Sequence, residues 1–443
     1  MIKNMILENV GPVGKDGRLT FDFTKRVNLF TGDNGLGKTF ILDAVWRSMT
    51  KTWAQEPFAK NIDTKLKPEI LFETDLRPEK LGVIYDKTSE SWFGPPDSYP
   101  ASYTFSPVIY LKYDGMLSIW DPYKSARWEE DTRIIEENVN VNFTKDEIWN
   151  GKFKNEDKSK SILCRGLIED WNTWRDRKEE NFKILKEILN ILSPEGEKIE
   201  PIISARASLH DAREIPRIKL PYGNIFITQA SSGFQQIFAL AYMLVWAWSE
   251  HKYYSKEFDR FPSDHVIVLI DEVESHLHPS WQRKFLPSLF EAMKYLYKEK
   301  TEVQLIATTH SPLVLASLEQ IFDNAVDQIL TLDINKKASE NNNERNKKTV
   351  KPVVEVNKFH WSKPGQGDIS NWLISDVFGL NQARSPEAER VINAADAFML
   401  DELDNLPNDL DTQDKIHQKL LQVLPEHDRY WARWVGSYSE ISE

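Results

Sequence analysis

The octapeptide GDNGLGKT at residues 32–39 constrains this 443-residue chain more than any other feature. It satisfies G-x-x-x-x-G-K-[ST] at every fixed position, with Gly32, Gly37, Lys38 and Thr39 as the fixed residues. Its flanks supply the context that the motif needs. Residues 27–31 (VNLFT) read as a short buried strand, and residues 40–46 (FILDAVW), beginning at Phe40, read as a helix. Glycines let the backbone wrap a phosphate closely. The N–H groups of Asp33, Asn34, Gly35 and the helix start then point at it. In such a loop Lys38 reaches the β- and γ-phosphates, and the Thr39 hydroxyl ligates Mg²⁺.

A second motif supports the first. Residues 265–270 (HVIVLI) are an unbroken β-branched and apolar run, as expected for a parallel strand covered on both faces. The run ends in Asp271 and Glu272, and a carboxylate there sits at the ligand-binding edge of an α/β sheet. Asp271 is expected to hold Mg²⁺ and Glu272 to orient or deprotonate the attacking water.

Three further segments carry a family resemblance. Residues 229–236 (QASSGFQQ) precede a long apolar helix and resemble the signature loop of ABC-type ATPases. There Ser231, Ser232 and Gly233 are expected to contact the γ-phosphate held by another subunit, since a hydroxyl, an amide and a helix N-terminus form an anion site. Ser232 and Phe234 depart from the transporter version of that loop. Residues 274–279 (ESHLHP) resemble the E-x-H-L-H-P segment of the compact, RecF- and OLD-like branch. A metal pair at His276 and His278, set on one face of a strand, lacks an evident third ligand, so a subunit-facing loop is the preferred reading. Residues 304–309 (QLIATT) form another strand, and His310 after it resembles the switch histidine that senses the γ-phosphate.

The resemblance implies an α/β fold: an ABC-type P-loop ATPase head of mixed β-sheets and helices, with a helical insertion and a mostly helical C-terminal segment. It also implies ATP and Mg²⁺ as cofactors, with the nucleotide sandwiched between Lys38 of one subunit and the 231–233 loop of another. Lys38, Glu272 and His310 are then the catalytic residues. Motif order and the short insertion resemble the ATPases of bacterial anti-phage systems of the Septu and PARIS kinds. By that analogy a homo-oligomer gates a separate effector, such as a nuclease. Two rivals remain: a RecF-like repair ATPase that clamps DNA, and a slowly hydrolysing scaffold held together by ATP.

Spacing narrows the class. From 38 to 231 is 193 residues, too few for long coiled-coil arms, and the single cysteine, Cys164, excludes both a zinc hook and a disulfide framework. The expected organisation is an ATPase lobe at 1–123, a helical insertion at 124–213, a second lobe at 214–334, a flexible polar loop at 335–351, and a C-terminal segment at 352–443. In the first lobe, apolar runs at 108–113 and 116–120 split by Asp114-Gly115 read as a hairpin of an antiparallel β layer. In the insertion, residues 165–192 read as an amphipathic helix pair or one bent helix, either packed core or a docking surface. No glutamine stands out for the lid loop that reports nucleotide to partners.

Charge refines the picture. The formal net charge is -12, which argues against a surface that coats nucleic acid. Residues 385–443 hold 13 Asp or Glu against 5 Lys or Arg, so the excess is concentrated in the tail, a candidate face for a basic partner. The N-terminus lacks the apolar core of a signal peptide, and the longest apolar run, at 238–248, is too short to span a bilayer. A cytoplasmic protein is expected.

Overall fold

A computed structural model describes residues 1–11, 17–54, 67–76, 79–86, 88–89, 91–94, 106–125, 141–156, 159–193, 198–298, 301–335, 353–361, 367–403 and 406–440. The chain opens with β1 (Ile2–Glu8), β2 (Arg18–Asp22), β3 (Val27–Gly32), the glycine loop and α1 (Lys38–Thr50). Strands β4 (Glu69–Thr74), β5 (Leu81–Asp86), β6 (Ser91–Phe93), β7 (Val108–Leu111) and β8 (Leu117–Trp120) precede a short α2 (Pro122–Ser125). Next come β9 (Val141–Phe143), α3 (Lys145–Asn150), β10 (Lys152–Glu156), β11 (Ser159–Cys164), α4 (Leu167–Asp176) and α5 (Glu180–Leu192). A three-stranded antiparallel sheet, β12 (Glu200–Ser208), β13 (Asp211–Leu220) and β14 (Gly223–Phe226), leads into α6 (Ser232–Glu257). The rest of the first unit comprises β15 (His265–Ile270), α7 (Pro279–Gln282), α8 (Phe285–Tyr297), β16 (Glu302–Thr308), α9 (Pro312–Leu318), β17 (Asp327–Asn335) and β18 (Val353–Phe359).

Eight strands form the main sheet in the order β18-β17-β3-β16-β15-β7-β8-β9. Its five central strands run parallel, from β17 through β3, β16 and β15 to β7. Parallel alignment puts the C-terminal ends of β3, β16 and β15 at one edge, so three motifs far apart in sequence converge there. The apolar run of β15 is buried on both faces, as its composition requires. Helix α1 is covered by the main sheet and by a second, antiparallel sheet of order β2-β1-β4-β5-β6; Trp46, Phe30 and Phe72 belong to that shared core. Gln304 fastens the two sheets from inside β16. Its amide donates to the Ile2 and Thr24 carbonyls at 2.9 Å each, and its oxygen accepts from the Ile2 N–H at 3.0 Å.

Three expectations about organisation need correction. The hairpin β7–β8 belongs to the main sheet, because β7 is buried throughout and pairs in parallel with β15; the antiparallel layer is built instead by β1, β2 and β4–β6. Residues 124–213 are not a helical insertion throughout. They carry the hairpin β10–β11, strand β12 and the start of β13 beside their helices, with β9 pairing to the main sheet. Finally, the strand at 353–359 closes the edge of the main sheet against β17, and the chain divides into compact units at Met1–Gly365 and Gln366–Glu443 rather than at 352. The polar loop expected at 335–351 lies outside the described residues apart from Asn335.

The amphipathic stretch resolves into two helices, α4 and α5, separated at Lys178, whose φ is +55°. Its apolar positions, including Trp171, Trp174, Leu185 and Leu189, are buried. Asp170 lies among them, accepting from the Tyr242 hydroxyl at 2.8 Å, and that hydroxyl is 3.1 Å from Cys164 Sγ. Burial raises the Asp170 carboxyl to about 6 against the pull of Tyr242, and lifts the Cys164 thiol to about 11. The folded chain therefore keeps a proton that the unfolded chain releases. This group stabilises the fold below about pH 4 and loses about 3 kcal/mol of that contribution as pH rises to about 6. Asp170→Asn should flatten this slope and raise the melting temperature at pH 7.5. A wild-type slope between pH 4 and 6 in the variant would contradict the assignment.

The second unit is helical among its described residues: α10 (Ile369–Leu373), α11 (Pro386–Met399), α12 (Gln413–Val423) and α13 (Tyr430–Glu440). Val391, Ile392, Leu410, Ile416, Leu420 and Trp434 form its own core. Its acidic groups are partly ion-paired, Asp409 with Arg390 at 2.8 Å and Asp411 with Lys415 at 2.6 Å.

Candidate nucleotide site

The phosphate loop follows β3 with three of its glycines in the left-handed region. Gly32 has φ +127°, Gly35 φ +81° and Gly37, the N-cap of α1, φ +81°. A Cβ on Gly32 would come within 2.2 Å of the Leu332 carbonyl oxygen on neighbouring β17, so only glycine fits. Gly37 offers no side chain to cap α1, which leaves the helix's first N–H groups directed at the loop. Lys38 folds back over it, its Nζ donating to the carbonyls of Gly32 at 2.8 Å and Asp33 at 2.7 Å. Burial holds the Lys38 ammonium below the usual lysine range, opposed by the charges of Asp271 and Asp33. Such a cation is desolvated and pre-positioned for an anion.

At the end of β15, Asp271 joins two motifs. Its Oδ2 accepts from the Thr39 hydroxyl at 2.8 Å and its Oδ1 from the Thr308 hydroxyl at 2.7 Å. Burial raises this carboxyl, and both hydrogen bonds pull it back toward the charged form. Thr308 also accepts from the Glu272 N–H at 2.7 Å, so a single hydroxyl at the end of β16 links both acidic residues. Glu272 has a left-handed backbone, φ +51°, an arrangement that costs about 1–2 kcal/mol for a non-glycine residue. Its carboxylate accepts from the Ser275 hydroxyl at 3.0 Å.

The loop that carries His310 is held by groups that motif reading passed over. Glu274 accepts from the His310 N–H at 2.5 Å and from the Thr309 hydroxyl at 2.6 Å. Thr308, Thr309 and Glu274 all lay inside segments quoted from the sequence. Nothing in the sequence, however, shows which carboxylate lies opposite which strand end. His276 and His278 lie on no strand, so the one-face arrangement that a metal pair required is absent and the segment is a loop. Residues 271–276 form turns, and His278 caps α7, accepting from the Ser280 N–H at 3.3 Å. Among the described residues no group of three or more His, Cys, Asp or Glu could hold a metal ion.

Ser231, Ser232 and Gly233 lie at the start of α6, not on the element that carries the phosphate loop. Ser231 is the N-cap of α6, accepting from the Phe234 N–H, and Ser232 begins the helix. Gly233 faces the segment after Glu272: a Cβ there would lie 2.5 Å from the Trp281 ring and 3.1 Å from the His276 carbonyl. Phe234 meets Trp281 edge-on at 4.8 Å.

A hydroxyl and a carboxylate 2.8 Å apart beside a phosphate loop suit a small, hard divalent cation, which takes one or two protein oxygens and completes its shell from phosphate and water. Thr39 and Asp271 thus fit Mg²⁺. Fold and site define an α/β unit with a P-loop at the C-terminal edge of its parallel strands.

Relatives narrow the class. Residues 4–219 match a family model described as "AAA domain", and residues 169–316 one described as "AAA domain, putative AbiEii toxin, Type IV TA system". The chain is 23% identical over 398 residues to the Septu protein PtuA of Bacillus thuringiensis, covering 87% of this chain and 86% of that protein. A stretch of 121 residues is 30% identical to the Retron Ec83 probable ATPase of Escherichia coli, covering 27% of this chain and 16% of that protein. Solved structures that align include an SMC head bound to the C-terminal winged-helix domain of ScpA, at TM-score 0.39 and 15% identity, covering 81% of this chain and 97% of that one. The recombination mediator protein RecF, as RecF-ATPrS, aligns at TM-score 0.35 and 13% identity, covering 75% of this chain and 95% of that one. Over most of its length the chain is thus similar to the Septu protein PtuA, and over shorter stretches to AAA domains and to a retron probable ATPase.

Proposed function

We propose that this chain binds ATP with Mg²⁺, assembles with further copies around the nucleotide, hydrolyses it, and by its nucleotide state gates a separate effector such as a nuclease. The observation that carries the reading is the polar cluster at one sheet edge, where Thr39, Asp271, Thr308 and Glu272 are joined by hydrogen bonds of 2.7–2.8 Å. In this reading Thr39 and Asp271 hold Mg²⁺, which neutralises phosphate charge when bound. Glu272 orients a water and takes its proton as the water oxygen attacks the γ-phosphorus. The bond from that phosphorus to the bridging oxygen breaks, and Lys38 and His310 stabilise the charge on the transferred group. Gly32, Asp33, Asn34, Gly35, Gly37 and Phe40 contribute the loop that cradles the phosphates. Ser231, Ser232 and Gly233, at the N-terminus of α6, serve a neighbour's nucleotide in this reading. Among the described residues no helix is long and apolar enough to cross a membrane, and a cytoplasmic assembly accords with that.

The test combines light scattering with and without ATP, phosphate release, and capture of the protein encoded by the adjacent reading frame. ATP should raise the measured mass at least twofold, and a mass unchanged by ATP would overturn the assembly. Removing the acidic unit Gln366–Glu443 should lose the captured partner and leave phosphate release within about threefold. A partner retained by the truncated chain would remove that unit from docking. Duplex DNA binding that weakens steeply with salt would favour the repair reading instead.

A further inference from the structure

We infer that Glu274 is a positioning residue that sets His310 in place for the γ-phosphate, an assignment that rests on the nucleotide site proposed above. Three successive residues of the switch loop are tied to the segment that follows Glu272. Glu274 Oε1 accepts from the His310 backbone N–H at 2.5 Å, and Oε2 accepts from the Thr309 hydroxyl at 2.6 Å. The Ser311 hydroxyl donates to Gln282 Oε1 at 2.7 Å, and Gln282 Nε2 donates to the Leu277 carbonyl at 2.8 Å. The Val273 N–H donates to the Thr308 carbonyl at 3.0 Å.

A carboxylate is suited to this position because both of its oxygens accept at once, and charge-assisted hydrogen bonds are the stronger kind. The bonds go to the backbone of residue 310 and to its neighbour, not to the imidazole. Glu274 therefore fixes where the ring stands. The same segment carries Trp281, which packs edge-on against Phe234 of α6 at 4.8 Å. His310 is thus referenced to the piece of the chain that seats the 231–233 loop.

Alanine and glutamine separate positioning from direct chemistry. Glu274→Ala removes both acceptors. Glu274→Gln keeps an oxygen for the His310 N–H and can donate from its amide to the Thr309 hydroxyl, which rotates to accept. A misplacement of about 1 Å can cost about 100-fold in rate. Glu274→Ala should accordingly lower kcat about 100-fold, with the KM for ATP within about threefold of wild type, and Glu274→Gln should recover at least tenfold of that loss. Glu274→Ala combined with His310→Ala should be no slower than His310→Ala alone. Glutamine as damaging as alanine, or losses that multiply in the double variant, would overturn the assignment by giving Glu274 chemistry of its own.

A chain with no ATPase activity would defeat the hydrolysis reading and still leave Glu274 testable. Exchange of the His310 amide hydrogen should be at least tenfold faster in Glu274→Ala and near wild type in Glu274→Gln. An unchanged rate in the alanine variant would overturn the positioning role.

Discussion

Lys38→Ala is expected to abolish ATP binding at working concentrations and, with it, every nucleotide-dependent change in mass. The ammonium lies over the loop, 2.7–2.8 Å from two of its carbonyls, and is largely buried. Against a polyphosphate it supplies a desolvated charge partner, and losing one member of such a pair costs about 3–5 kcal/mol, roughly 10²–10⁴ in affinity. The loop itself should keep its shape, since Gly32, Gly35 and Gly37 set its backbone. Fluorescent-nucleotide titration measures this directly. Wild-type affinity in the alanine variant would remove the loop from nucleotide binding altogether.

The second large effect is expected at Glu272. Glu272→Gln leaves a side chain of the same size that can still accept from the Ser275 hydroxyl but no longer takes a proton. Turnover should fall about 10²–10⁴-fold, the range that general-base catalysis contributes, with ATP affinity within a few-fold of wild type. The ATP-bound assembly should then accumulate, visible as a mass increase that persists long after wild type has exhausted its nucleotide. Turnover at the wild-type rate would take Glu272 out of its role. The strained φ of +51° belongs to the same account, because a non-glycine residue held there is over-determined by its surroundings, here the Thr308 hydroxyl on its N–H.

The parts of the fold legible in the sequence are local ones. The run at residues 265–270 announces a buried strand, GDNGLGKT announces a turn into a helix, and the repeat at 167–192 announces packed helices. Each signal is carried by neighbouring residues, because burial on both faces or on one helical stripe must be written into the period of apolar positions. Pairing is not local. Residues 108–120 form a hairpin, as their Asp-Gly turn implies, yet which sheet that hairpin joins depends on β15, some 150 residues later. Strand β18, likewise, opens a new segment in sequence order but closes the edge of the first unit's sheet. The strands within 124–213 are obscured for another reason. Two of them, β12 and β13, are exposed along much of their length and lack the clean alternation that a half-buried strand displays.

The site divides along the same line. By itself the sequence determined the chemistry available: a phosphate loop, a carboxylate pair after an apolar strand, and a histidine after another, which together specify an α/β nucleotide-binding edge. Only the tertiary structure decided who meets whom. Thr39 reaches Asp271 across 232 positions of chain, Gly32 must be glycine because of the Leu332 carbonyl, and Glu274 rather than any nearby acid grips the loop of His310. A motif states which groups a backbone can present, but hydrogen bonds of 2.5–2.8 Å between distant segments are set by the register of parallel strands, and that register exists only once the sheet has formed.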